Sequence, residues 1–258
     1  MDAENETREE CAAYSALARW YDGFTRDVPY MEFADYYCTL LCRSGKARMT
    51  LLDLCCGTGT MTLLLARRGH TMIGADASPE MLSLAAEKAI QADAERFAAP
   101  LLLCQAADEL DLYGTVEGAF CSLDGMNYLP PETLPETLRR LHLFIEPGGV
   151  FAFDIHDPAC LRARSGGVFV DETEDALCLW RGDFDEEENA LIYGIDLFRR
   201  ADGQNWRRAF EEHIEYAHTP EKLTALLERA GFTDVTLHTD GPQHEMGRLF
   251  LSAVNLPH

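Results

Sequence analysis

The sequence predicts an α/β fold: a doubly wound, mostly parallel seven-stranded sheet with helices on both faces and an antiparallel β section inserted after the fifth strand. Three observations predict it. Short apolar runs of strand length alternate with helical stretches over residues 50–155, as a parallel sheet with crossover helices requires. After Asp154 the pattern switches to period-two alternation without helical periods. Finally, a capped helix and two closely spaced strands end the chain, close enough to pair antiparallel. A length of 258 residues, 47% of them apolar, is enough to bury one large core, which excludes disordered and coiled-coil classes.

In chain order, residues 12–45 read as helical, broken near Asp27-Val28-Pro29-Tyr30, and with the acidic start they form an N-terminal helical lid over 1–45. Strands are expected at 50–55, 71–75, 100–104, 118–122 and 149–155, with helices at 60–69, 79–92 and 131–145. Segments 167–182 and 189–217 supply the inserted strands. The next helix has Thr219 as N-cap, Pro220 at its first position, Glu221 in its first turn and Gly231 as its stop. Lys222 stands at the third helical position, so a reciprocal capping box is absent. Strands near 234–239 and 248–254 complete the count. The expected division is a core of 46–156 and 218–258, with 157–217 as the insertion on the acceptor side.

The strongest local signal is Leu51-Leu52-Asp53-Leu54-Cys55-Cys56-Gly57-Thr58-Gly59-Thr60, a buried strand running through glycines into a helix. Gly57 and Gly59 permit positive φ and close ligand approach, and the helix start offers free N–H groups. On its own this is also what any tight strand-to-helix turn looks like. The second strand, however, ends in Ala75-Asp76-Ala77-Ser78-Pro79, which places Asp76 17 positions after Gly59, where an acid at a strand tip accepts ribose hydroxyls. A dinucleotide fingerprint would need glycine or alanine at position 62, where this chain has Thr62. The site therefore suits a nucleoside without a pyrophosphate.

At these residues the chain resembles the class I S-adenosylmethionine-dependent methyltransferases, in their small-molecule type. LDLCCGTGT is similar to that family's glycine-rich first motif, with Asp53 at the acidic position, Gly57 and Gly59 at the second and third glycines, and Cys55 in place of the first. IGADASPEML resembles the second motif; FCSLDGMNYLP, IEPGGVFAFDI and EKLTALLERAGF resemble the fourth-strand loop, the turn into the fifth strand and the family's end. The resemblance spans roughly 14–254. It implies S-adenosylmethionine as cofactor, held by Tyr21, Asp53, Cys55, Gly57, Thr58, Gly59, Asp76, Ala77, Met81, Ala106, Ala107 and Ser122. The family often has an acid after its third strand; here Ala106 stands at that position, and Asp108 is the nearby substitute. Ala16-Leu17-Ala18-Arg19-Trp20-Tyr21-Asp22 resembles the aromatic lid of small-molecule members.

Methyl transfer is an in-line displacement whose reactive group comes with the cofactor, so no protein base is obligatory. Tyr128, His156 and His213 are the acceptor-side candidates for catalysis, with Asp124, Asn127, Tyr216 and His218 beside them; for each, ordinary hydrogen bonding in a pocket wall is the alternative. Nine acids against one Arg between 171 and 188 read as a solvated outer face, the other reading being attraction of a cationic acceptor. Trp180, Phe184, Tyr193 and Trp206 suit core packing or a homodimer face. With 44 acids against 22 basic residues, net charge −22, nucleic acid is disfavoured as a partner and a small-molecule acceptor is expected. RNA or protein acceptors, and a non-catalytic regulatory protein that binds the cofactor, are the competing readings. Nine scattered cysteines without a Cys-x-x-Cys pair, no long apolar run and an acidic start point to no metal, no membrane and a cytoplasmic location.

Overall fold

The computed structural model describes residues 9–42, 46–92, 97–202 and 205–256. Most of the acidic start, at 1–8, and positions 43–45 of the expected N-terminal section lie outside the described residues. The chain runs through β1 (Glu9–Glu10), α1 (Ala18–Phe24), α2 (Tyr30–Leu41), β2 (Thr50–Leu54), α3 (Thr60–Arg67), β3 (Thr71–Asp76), α4 (Pro79–Ala92), β4 (Leu101–Cys104), β5 (Val116–Cys121), α5 (Leu134–Phe144) and β6 (Ile145–His156). It continues through α6 (Pro158–Ala163), β7 (Val168–Glu172), β8 (Ala176–Asp185), β9 (Ala190–Asp202), β10 (Asn205–Tyr216), α7 (Pro220–Ala230), β11 (Phe232–His238) and β12 (Arg248–Asn255).

Seven strands form the main sheet in the order β11-β12-β6-β5-β2-β3-β4. Strands β2 to β6 pair in parallel, and β12 runs antiparallel to both β6 and β11. The order reverses between β2 and β5, so a crevice opens beyond their C-terminal ends, where an open α/β sheet holds its ligand. Successive side chains of a strand face opposite sides. Along β6, Phe151 and Phe153 accordingly pack with α5 and α7, while Val150 and Ala152 pack with α2 and α3. Both faces are dry, and the sheet is doubly wound as expected.

The inserted strands form a separate five-stranded sheet in the order β1-β10-β9-β8-β7. Strands β7 to β10 make an antiparallel meander, and β1 adds to its edge in parallel with β10. Helix α1 begins at Ala18, six residues after the expected start, and the chain before it is tied to the inserted sheet. The tie is Glu211 on β10, which accepts from the backbone N–H groups of Tyr14 (2.9 Å), Ala16 (2.5 Å) and Leu17 (2.9 Å). These donors lie just ahead of α1, so a carboxylate nearly 200 residues away fixes the chain that leads into the helix. Helix α7 carries its expected devices: Thr219 Oγ1 accepts from Lys222 N–H at 3.2 Å, and Gly231 ends it at φ +106°.

Among the described residues, no helix is long and apolar enough to cross a membrane. The acids of 171–188 lie mostly exposed on β7, β8 and the turns beside them, the solvated face expected.

Candidate functional site

The crevice beyond β2 and β5 is a cavity of about 460 Å³, within the usual range for a small-molecule site. Strand β2 delivers the loop 55–59 to its floor. Cys55 (φ +57°), Gly57 (φ +53°) and Gly59 (φ +72°) all adopt the left-handed conformation. A Cβ on Gly57 would meet nothing within 4 Å, so the left-handed backbone and not crowding favours glycine there, and the loop stays open toward the cavity. At Gly59 a Cβ would press on the Ala85 Cβ at 3.0 Å, so this glycine serves the packing of the loop against α4. Cys55 accepts the same backbone state without being glycine, and its thiol meets that of buried Cys121.

Asp76 stands at the tip of β3. One of its oxygens accepts from Gly57 N–H and the other from Ser78 N–H, each at 2.8 Å. Burial pushes its carboxyl above the ordinary range, while those two amides pull it back. Each oxygen keeps a lone pair for a further donor. Ser78 caps α4 by accepting from Met81 N–H at 3.2 Å. The residues expected from sequence to hold the cofactor converge here: Tyr21, Cys55, Gly57, Thr58, Asp76, Ala77, Met81, Ala106, Ala107 and Ser122 all line the cavity. Asp108 and Gln105 join them beside β4. Asp53 and Gly59 do not reach it. Asp53 lies beneath the loop, accepts from Thr62 Oγ1 at 2.5 Å, and is pushed up to about 7 by burial. A strand-tip carboxylate with free lone pairs, an open glycine and small apolar walls fit a nucleoside.

The lid closes one side. Asp22 on α1 accepts from Thr58 Oγ1 at 2.6 Å and from Lys88 Nζ at 2.8 Å, and Lys88 also donates to Thr58 and Thr60. Tyr14, Tyr21 and Tyr30 then line the cavity opposite Tyr128, with Tyr14 5.7 Å from Tyr128 and 6.0 Å from Tyr21 between ring centres. Among the described residues lining the cavity there is no Lys, Arg or His.

Of the three residues proposed for catalysis, Tyr128 lines the cavity while His156 and His213 lie behind its wall. The His213 ring packs 4.4 Å from that of Tyr14, and its Nε2 is 2.9 Å from Glu211 Oε2. His156 lies 3.4 Å from guanidinium nitrogens of Arg164 and Arg248; burial and these cations push it down to about 2, so it is neutral. Asn127 braces the same region, donating to the Tyr216 carbonyl and accepting from His156 N–H. His218 donates to the Leu129 carbonyl at 2.9 Å, and burial lowers it to about 4.

A buried polar network, not anticipated from sequence, sets the loop after β5. Asp154 accepts from Leu123 N–H and Asp124 N–H, each at 2.9 Å, from the Tyr37 hydroxyl at 2.5 Å, and from Arg248. It thereby holds Leu123 and Asp124 in left-handed conformations, which cost energy for non-glycine residues. Arg248 donates also to Asp124 at 2.8 Å. The signal in the sequence was an Arg opening the apolar strand RLFLSAVN, since a buried Arg must be paired. Atoms of Asp124, His156 and Glu215 lie within 4.8 Å of one another, a spacing a cation also uses. Arg248 and Arg164 already supply positive charge there, and the group is an ion-pair network.

A methyltransferase-domain family model matches residues 30–237. YqeM of Bacillus subtilis, a protein named as a methyltransferase, is 27% identical over 250 residues, covering 93% of this chain and 96% of its own. The crystal structure of an S-adenosylmethionine-dependent methyltransferase from Clostridium acetobutylicum superposes with a TM-score of 0.78 at 25% identity, over 95% of this chain and 99% of that one. The sugar N-methyltransferase KedS8 from Streptoalloteichus shares the fold with a TM-score of 0.76 at 20% identity, over 92% and 93% of the two chains. The crevice geometry and these likenesses converge on one conclusion: the chain belongs to the methyltransferase-domain family, as an enzyme that draws its methyl group from S-adenosylmethionine.

Proposed function

We propose that the enzyme methylates a small, non-anionic acceptor, and that the acceptor atom is an amine nitrogen. The observation that carries this reading is the wall of the cavity: four tyrosines and no lysine, arginine or histidine among the described lining residues. Aromatic faces attract cations, and a site for a phosphate or carboxylate acceptor would need positive charge. KedS8, named a sugar N-methyltransferase, shares the fold and supports the same choice.

When bound, S-adenosylmethionine supplies an electrophilic methyl group; the chain's own residues do the rest. Asp76 takes the ribose hydroxyls, Ala77 and Met81 flank the base, and Asp108 or a backbone group at Ala106-Ala107 meets its edge. Asp53, Gly59 and Thr58 hold the loop that carries Cys55 and Gly57. The lid tyrosines exclude water and orient the acceptor, from which most of the acceleration comes. Nine free thiols support a reducing, cytoplasmic setting.

Radiolabelled methyl transfer decides the acceptor. A panel of amines, alcohols, carboxylates, RNA and protein is offered with labelled cofactor, and label is expected in the amines. Label in RNA or protein alone would overturn the small-molecule reading.

A further inference from the structure

We propose that Glu215, acting through the Tyr128 hydroxyl, takes the proton from the ammonium form of the acceptor and so exposes the nitrogen lone pair; this deepens the amine-methyltransferase reading and rests on it.

Glu215 lies on β10 with 4% of its surface exposed, and its Oε2 has no hydrogen-bond partner. A buried carboxylate oxygen without a partner is costly and calls for a role. Its neighbours come from every surrounding element. Tyr128 follows β5 in a turn that packs on β10 and lies beside Glu215; Asp124 precedes it in the same loop. Tyr14 comes from the lid segment, Tyr193 from β9, His156 from β6, Arg164 from beyond α6 and Arg248 from β12. Both arginines point their hydrogen bonds elsewhere: Arg164 to Tyr193 at 3.3 Å and His156, Arg248 to Asp154, Asp124 and Gln243. His156 stays neutral and does not compete for the proton. Burial and the nearby Asp124 raise Glu215 to about 8, much closer to an amine than an ordinary carboxylate is.

Glu215 does not line the cavity, but Tyr128 does. The balance is simple. An N–H bond of the ammonium breaks and its electron pair stays on nitrogen. The proton passes to the Tyr128 oxygen as the Tyr128 proton moves to the Glu215 carboxylate, leaving a neutral amine, an intact tyrosine and a carboxylic acid. Nothing is oxidised or reduced. Tyr128 touches the acceptor; Glu215 acts through it and is a positioning and proton-accepting residue.

The test compares Glu215→Gln, Glu215→Asp and Tyr128→Phe with the wild-type chain. Expected are a kcat loss of roughly 10²–10⁴-fold for Glu215→Gln and Tyr128→Phe, cofactor affinity within about twofold by calorimetry, and partial recovery in Glu215→Asp. The two losses should not add in the double variant. In the wild-type chain kcat/KM should climb with pH through about 8, and this limb should vanish in Glu215→Gln. Without cofactor or acceptor, an infrared band of a protonated carboxyl that titrates near the same pH should be absent from Glu215→Gln. Retention of the wild-type kcat and pH profile in Glu215→Gln would overturn the relay, as would a loss that appears equally in cofactor binding. If the wild-type chain methylates no amine, the amine reading itself fails, a result separate from either.

Discussion

Asp154 satisfies two backbone amides, a phenol and a guanidinium at once, from a position with no solvent exposure. Replacing it by alanine leaves Arg248 buried beside one remaining acid and frees two left-handed residues. Asp154→Ala should lose about 3–5 kcal/mol of stability, read as a shift of the urea midpoint. Asp76→Ala has a different signature. It removes the proposed ribose acceptor and the brace on Gly57 and Ser78, and should weaken cofactor binding by about 1.5–3 kcal/mol, roughly ten- to a hundredfold, by calorimetry. Unchanged affinity would mean that the ribose lies elsewhere. At this scale the glycine-rich loop and the strand-tip acid were legible and the buried polar network was not. Gly57 and Asp76 act through local backbone chemistry that a short motif records. Asp154, Arg248 and Glu215 act through partners distant in the chain, 124 residues apart for Arg248 and Asp124, and such pairs leave no local trace.

Helix α7 shows what a sequence says well: Thr219, Pro220 and Gly231 each act within one turn, and the helix begins and ends where they stand. Thr219→Ala should cost about 1 kcal/mol in thermal unfolding. Strand β1 shows the opposite. Glu9 and Glu10 have low strand propensity, and they pair because β10 offers an edge beside them. The lid depends on that same strand. Glu211→Gln keeps the shape but weakens three acceptor contacts and the pairing with His213. Faster hydrogen exchange is expected over residues 14–24, together with a raised KM for the acceptor. If exchange stays slow there, the lid is held by packing alone.

For the molecule as a whole, the buried ionisable groups set a stability optimum. Asp53 and Glu215 are raised to about 7 and about 8, so the folded state binds protons that the unfolded chain has released. Their contribution is complete below the ordinary carboxylate range and is lost as pH rises through those values. His156 and His218 are lowered to about 2 and about 4, so their contribution is present above the ordinary histidine value and fades as pH falls below it. The opposing slopes largely cancel between the ordinary carboxylate and histidine values, giving a broad optimum from about pH 4 to about 6.5, and the melting temperature should fall from there toward pH 8. Net charge −22 steepens that fall by self-repulsion, so added salt should recover part of it.

The two fastenings of the lid are unequal. Toward the inserted sheet it is held by strand pairing and a buried carboxylate that takes three amides; toward the cofactor loop it is held by Asp22, whose side chain is 46% exposed, and by Lys88. The weaker fastening is the one expected to open first, with lid and inserted sheet moving as a single jaw. Product escape should then quicken as ionic strength rises, and a kcat that does not respond to salt would show that this ion pair does not hold the jaw shut.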